Sequence, residues 1–139
     1  MRLHPREARR RFAAARVARL ATVGPGGVPH LVPVTFAVLD DAIVFAVDHK
    51  PKSSVELRRL RNIAANPAVS FLVDHYDDDW TRLWWTRADG TATTVHDPER
   101  RRAAVDALAA RYPQYAARPP TGAVVRTDVT HWSGWTAGG

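Results

Sequence analysis

Two lysines and two serines stand together in one short stretch, Lys50-Pro51-Lys52-Ser53-Ser54, just ahead of a segment patterned as a helix. A helix start leaves backbone N–H groups without partners and carries partial positive charge. Two ammonium groups and two hydroxyls at that end make an anion site suited to a phosphate. Ser53 and Glu56 also have the S-x-x-E spacing of a capping box. A plainer reading therefore stays open: Ser53 caps the helix and both lysines are solvated.

Other chemistry-bearing types are dispersed. His4, His30, His49, His75, His96 and His131 fall on different elements without H-x-x-x-H spacing, so no metal site is expected. His30 and His49 are placed where either could meet a ligand, a satisfied structural histidine being the plainer reading. No Ser-His-Asp or paired-carboxylate pattern is recognisable, and no catalytic side chain is nominated. Asp74, Asp77, Asp78 and Asp79 read as a solvated loop, because a cation site needs more convergent ligands. Cysteine is absent, which excludes disulfides, thiolate metal sites and a cysteine nucleophile. Redox chemistry would need a bound organic cofactor.

Tryptophan is abundant, with Trp80, Trp84, Trp85, Trp132 and Trp135. Trp84 and Trp85 are adjacent on an expected strand, so they point to opposite faces. One can pack in the core while the other lies at a subunit interface or over a planar ligand.

The elements that must position these residues follow from pattern. Pro5 opens a helix with Ala8, Phe12 and Ala15 on one stripe. Val17 to Val23 is a strand, and Gly24-Pro25-Gly26-Gly27 a turn. Residues 28–39 read as one long strand with both faces apolar. Such a strand is expected to be largely buried or bent; Pro29 and Pro33 cannot donate to a ladder there and argue for an edge, a bulge or a strand lining a cleft. Asp40-Asp41 turns into a strand, Ala42 to Val47. After the lysines a helix buries Leu57, Leu60 and Ala64, with Arg58, Arg59 and Arg61 elsewhere or at its margins, and Asn66-Pro67 stops it. Ala68 to Tyr76 is a strand with Val69, Phe71 and Val73 on one face. Trp80 to Val95 is one long strand, or two broken at a hairpin-like Asp89-Gly90. Asp97-Pro98 opens a third helix with Val105, Leu108 and Tyr112 in register, and Val124 to Trp135 is the last strand. About six mostly consecutive strands and three helices favour an α+β fold on a small antiparallel barrel. There is no G-x-G-x-x-G or Walker motif.

The chain has 139 residues, 45% hydrophobic, and a formal net charge of +6. One domain spanning 1–139 is expected. Residues 1–20 hold seven arginines against Glu7, which is the whole excess. An amphipathic helix with a solvated arginine face accounts for them, and no nucleic-acid-binding signature accompanies the charge. No apolar run approaches the roughly 18 residues of a membrane span, and the N-terminus lacks a signal-peptide pattern. A soluble, cytoplasmic protein is expected.

The order of the pieces is similar to a known family. The elements Val17-Ala18-Arg19-Leu20-Ala21-Thr22-Val23, Pro29-His30-Leu31-Val32-Pro33-Val34-Thr35-Phe36 and Ile43-Val44-Phe45-Ala46-Val47-Asp48 follow one another. Lys50-Pro51-Lys52, Leu57-Arg58-Arg59-Leu60-Arg61-Asn62-Ile63 and Asn66-Pro67-Ala68-Val69-Ser70-Phe71 come next. This resembles the pyridoxamine 5′-phosphate oxidase-like split β-barrel (PPOX class), and most closely its short actinobacterial branch that uses the deazaflavin coenzyme F420. Trp80-Thr81-Arg82-Leu83-Trp84-Trp85 and Thr130-His131-Trp132-Ser133-Gly134-Trp135 fit that branch.

The resemblance implies a six-stranded antiparallel split barrel and a homodimer with the cofactor at the subunit interface. It implies that Pro33, Val34 and Thr35 pass beside the cofactor ring. Val47, Asp48, Lys50, Lys52, Ser53 and Ser54 would meet its phosphate-bearing side chain. Arg58, with Arg61, would extend a positive groove toward an acidic tail. Val55 and Glu56 stand where flavin-phosphate oxidases carry an Arg-Lys pair, which tilts the expectation toward F420 over FMN. The expected activity is hydride transfer to an electron-poor, conjugated small molecule. The rivals are an FMN- or pyridoxal-phosphate-binding relative and a non-enzymatic coenzyme carrier.

Overall fold

The computed structural model describes residues 1–47 and 54–138, with backbone alone at 54–57. Its elements are α1 (Pro5–Ala14), β1 (Ala18–Val23), β2 (Pro29–Val34), β3 (Ala37–Leu39), β4 (Ala42–Ala46), α2 (Ser54–Ala65), β5 (Ala68–His75), β6 (Trp84–Thr94), α3 (Pro98–Arg111), α4 (Pro113–Ala117) and β7 (Val124–Thr136). The strands form one antiparallel sheet in the order β2-β1-β5-β6-β7-β4-β3.

The two edge strands are consecutive in the chain. Val34 closes β2 opposite Ala18, and Ala37 opens β3 opposite Val44. Thr35 and Phe36 alone bridge them. Three peptide steps reach at most about 11 Å, so the sheet must curl until its edges nearly meet. That curl is the split barrel.

Residues 28–39 are thus two strands rather than one, and the described residues hold seven strands, not six. The prolines explain half of the division: β2 carries Pro29 and Pro33 and lies at an edge, where missing N–H groups cost least. Burial explains the other half. Val34, Phe36 and Ala37 are all buried, so the chain turns from one core-facing arm directly into the next. The β3–β4 turn is Asp40-Asp41, with Asp40 at φ 56°, a conformation that aspartate tolerates.

Asp89-Gly90 makes no hairpin. β6 is one continuous strand paired on both sides, with a bulge between these two residues. A Cβ on Gly90 would lie 2.3 Å from the Asp128 carbonyl oxygen, so glycine is required there. Trp80–Arg82 is a short 3₁₀ turn rather than strand, capped by the Asp79 carboxylate accepting from the Thr81 N–H. α4 is a fourth helix.

The core inside the curl is aromatic. Phe12 of α1 lies 4.9 Å from Phe36 and 6.3 Å from Phe71, and Phe45 lies 6.2 Å from Phe71. All four are buried, each worth roughly 1.5–3 kcal/mol relative to exposure. Val69, Phe71 and Val73 face this core as their alternation requires. Leu108 and Tyr112 of the α3 end pack with Val44 and Val124 in a second cluster outside it. α2 sits differently from its apolar pattern. Arg59, Asn62 and Ile63 are buried, Leu60 is half-buried, Ala64 is exposed, and the Leu57 side chain lies outside the described set. The rotation follows from a polar pair: the Asn62 amide donates to the Thr22 hydroxyl at 3.1 Å in the interior. A buried amide is tolerated when so bonded.

Candidate functional site

A cleft of about 540 Å³ opens at the split between the two sheet edges. Pro33, Val34 and Thr35 form one wall, at the end of β2 and the crossing to β3. Ala46 ends β4 beside it, Arg59 comes from α2, and Tyr112, Gln114 and Tyr115 come from the α3–α4 junction. Cleft walls of mixed apolar and aromatic character with a few convergent polar groups are the usual build of a small-molecule site.

Three polar groups matter most. The Arg59 residue is only 9% exposed, and its guanidinium lies over the Phe45 ring, 5.4 Å from the centroid. A guanidinium lining a cleft can meet an anionic or oxygen-rich group there. The Thr35 and Tyr115 hydroxyls are 3.4 Å apart, well beyond the 2.7–2.8 Å typical of O–H···O bonds, so both keep capacity for a ligand. Tyr112 is different, because its hydroxyl is already engaged. It accepts from the Phe36 N–H at 3.1 Å, and lies 2.8 Å from the Phe36 carbonyl and 2.9 Å from the Arg16 carbonyl.

Of the residues nominated from the sequence, Pro33, Val34 and Thr35 come together in this cleft. Val47 does not line it. Its side chain is buried, and its N–H donates to the Ala123 carbonyl at 2.8 Å, one residue past Ala46, which does. Arg58 is exposed in a separate recess with Arg61, Asn62 and the Gly24–Gly26 turn. Ser54 begins α2, and its side chain is not described. Asp48, Lys50, Lys52 and Ser53, with the expected cap, lie outside the described residues.

Sequence reasoning missed Arg59, Gln114 and Tyr115, and took Tyr112 only as a core residue. Arg59 is one of 18 arginines and looked marginal. The available signal was Tyr112-Pro113-Gln114-Tyr115, two phenols three apart around a helix-stopping proline. Among the described residues no cluster of three or more His, Asp or Glu could hold a metal, and no helix is long and apolar enough to cross a membrane.

The adjacent tryptophans do separate. Trp84 packs against the core, stacked on His75 at 6.0 Å with Arg11 over its ring at 5.4 Å. Trp85 is on the outer face, opposite Trp135. Several of the N-terminal arginines are engaged with their own chain. Arg10 and Arg11 pair with Glu7 at 2.5 and 2.9 Å, and Arg9 meets the Asp40-Asp41 turn.

The family model for pyridoxamine 5′-phosphate oxidase matches residues 5–136. A 5a,11a-dehydrotetracycline/5a,11a-dehydrooxytetracycline reductase from Streptomyces rimosus is 39% identical over 56 residues, covering 40% of this chain and 38% of that enzyme. A conserved hypothetical protein from Mycobacterium tuberculosis superposes with TM-score 0.78 at 24% identity, over 97% of this chain and 86% of its own. An FAD-binding protein from Mesorhizobium loti superposes with TM-score 0.74 at 22% identity, over 96% and 95%. At such identities the superpositions establish the split-barrel fold.

Proposed function

The chain belongs to the pyridoxamine 5′-phosphate oxidase family, and from that premise we propose that it is an oxidoreductase holding a flavin-like cofactor in the cleft at the barrel split. The finer reading is coenzyme F420, with an electron-poor conjugated small molecule as substrate. The observation that carries it is the buried Arg59 beside apolar walls and two loosely bonded hydroxyls. That combination fits a flat heteroaromatic ring with an oxygen-rich edge. When bound, the cofactor would supply hydride chemistry.

The chain's own residues bind and orient. Pro33 and Val34 give the ring an apolar wall, Thr35 and Tyr115 offer hydroxyls to its polar edge, and Arg59 offsets negative charge. Lys50, Lys52, Ser53 and Ser54 follow the strand that ends at the cleft and are proposed to take the phosphate. Arg58 and Arg61, across α2, would serve an acidic tail. The Streptomyces relative, named as a reductase, supports reduction of a small molecule. The FAD-binding likeness keeps FMN as the rival cofactor.

The reading includes a homodimer. Leu31, Leu72 and Trp135 are exposed and share the outer sheet face with Trp85, an apolar surface of the kind that subunits bury.

Titration with F420 and with FMN, followed by tryptophan fluorescence, tests the proposal. Micromolar or tighter binding of F420 is expected. Preferential FMN binding would replace the deazaflavin, and binding of neither would end the cofactor reading. Tight binding without turnover of quinones, enones or nitroaromatics would assign a carrier role. A monomer by light scattering would remove the dimer.

A further inference from the structure

We propose that the Tyr112 hydroxyl is a positioning group for the cleft, holding the Phe36 backbone so that Val34 and Thr35 stand fixed against the ligand. The proposal rests on the reading of this cleft as the cofactor site.

Between Val34 and Ala37 the chain passes from one edge of the sheet to the other, and residues 35 and 36 belong to neither ladder. Phe36 is fully buried. Buried backbone groups outside a ladder need partners, or their desolvation is uncompensated. One phenol meets both: it accepts from the Phe36 N–H at 3.1 Å and sits 2.8 Å from the Phe36 carbonyl. Its single proton serves either that carbonyl or the one of Arg16, 2.9 Å away.

The phenol is itself held from several elements. The Arg16 guanidinium lies over its ring at 4.8 Å and that of Arg111 at 5.5 Å. Arg111 also donates to the Ala13 and Ala15 carbonyls at the C-terminal end of α1, and Arg16 donates to the Arg111 carbonyl at 2.7 Å. Tyr115 packs edge-on against the same ring, centroids 5.9 Å apart. The ends of α1 and α3 therefore clamp the phenol, and the phenol clamps the crossing whose preceding residues form the cleft wall. The Tyr112 hydroxyl need not touch the ligand to act on it.

Tyr112→Phe removes the hydroxyl and keeps the ring. Val73→Ala, buried on β5 and absent from the cleft lining, is the control for lost stability. F420 and FMN affinities are measured on both by fluorescence, with the thermal midpoint of each, and exchange of the Phe36 amide is followed by NMR. Tyr112→Phe is expected to weaken binding of the preferred probe at least tenfold, with Phe36 exchange accelerated at least tenfold beyond that in Val73→Ala. Val73→Ala should bind within twofold of wild type even if it melts as low. Affinity retained within twofold in Tyr112→Phe, or equal losses in both variants, overturns the proposal. If wild type binds neither probe, the cofactor reading falls on its own. The exchange measurement then still decides the hydroxyl's role: selective acceleration at Phe36 supports it and unchanged exchange overturns it.

Discussion

Helices α1 and α2 are both rich in arginine and both cover the curled sheet, yet they use their charge in opposite ways. α1 anchors itself through Ala8 and Phe12, both fully buried, and keeps Arg9, Arg10 and Arg11 off the core, engaged with Glu7 and the Asp40-Asp41 turn. α2 leaves Arg58 and Arg61 exposed but turns Arg59 inward with Asn62 and Ile63. The formal excess of +6 sits with α1 and its flanks. Among the described residues, the guanidinium that lines the cleft is that of Arg59, in a region of no net excess. Position in the fold, rather than the count, separates the two.

The contrast can be broken at its strongest point first. Phe12→Ala should cost about 3–5 kcal/mol in urea unfolding, because Phe12 contacts Phe36, Phe71 and Trp132. A cost under about 1 kcal/mol would show that α1 is held by its charges instead. Arg59→Ala should weaken cofactor binding roughly 10- to 100-fold, the equivalent of one charge-assisted hydrogen bond. The double variant Arg6→Ala, Arg10→Ala should leave the affinity unchanged. Equal losses in the two would erase the distinction.

Asn62→Ala should cost about 1–3 kcal/mol by leaving the buried Thr22 hydroxyl without its partner. A neutral outcome would mean that the Asn62 pair does not set how α2 rotates. The smallest effect belongs to Glu7. Hydrogen bonds from Arg10 and then Arg11 hold its carboxyl near pH 2, against an ordinary 4.5. A depressed acid stabilises the fold above its unfolded value and loses that as pH falls. Wild type and Glu7→Gln should therefore differ slightly at neutral pH, converge as pH drops from 4.5 toward about 2, and converge in high salt. A gap that widens on acidification would contradict the pairing.

Much of this architecture was legible in the residues. Alternation placed Val69, Phe71 and Val73 inward, and Asp97-Pro98 opened α3, where the Asp97 carboxylate accepts from the Arg100 N–H at 3.0 Å. The crossing at Thr35-Phe36 was not legible, because apolar residues run through it without interruption and only closure of the sheet requires a break there. Asp89-Gly90 satisfies a hairpin and a bulge equally well, and long-range pairing chose the bulge. For the cleft, the resemblance to the split-barrel family pointed to Pro33, Val34 and Thr35, a run contiguous in the chain that does line it. Arg59, Gln114 and Tyr115 reach the cleft from elements distant in sequence, which no local period encodes.

The most direct test of the cleft as the cofactor site is a crystal structure of the protein soaked with F420, and in parallel with FMN. The account predicts the ring between the Pro33–Thr35 wall and Tyr115, with an oxygen-bearing edge toward Arg59. A ring seated on the outer sheet face at Trp85 and Trp135, or in the recess of Arg58, Arg61 and the Gly24–Gly26 turn, would contradict it.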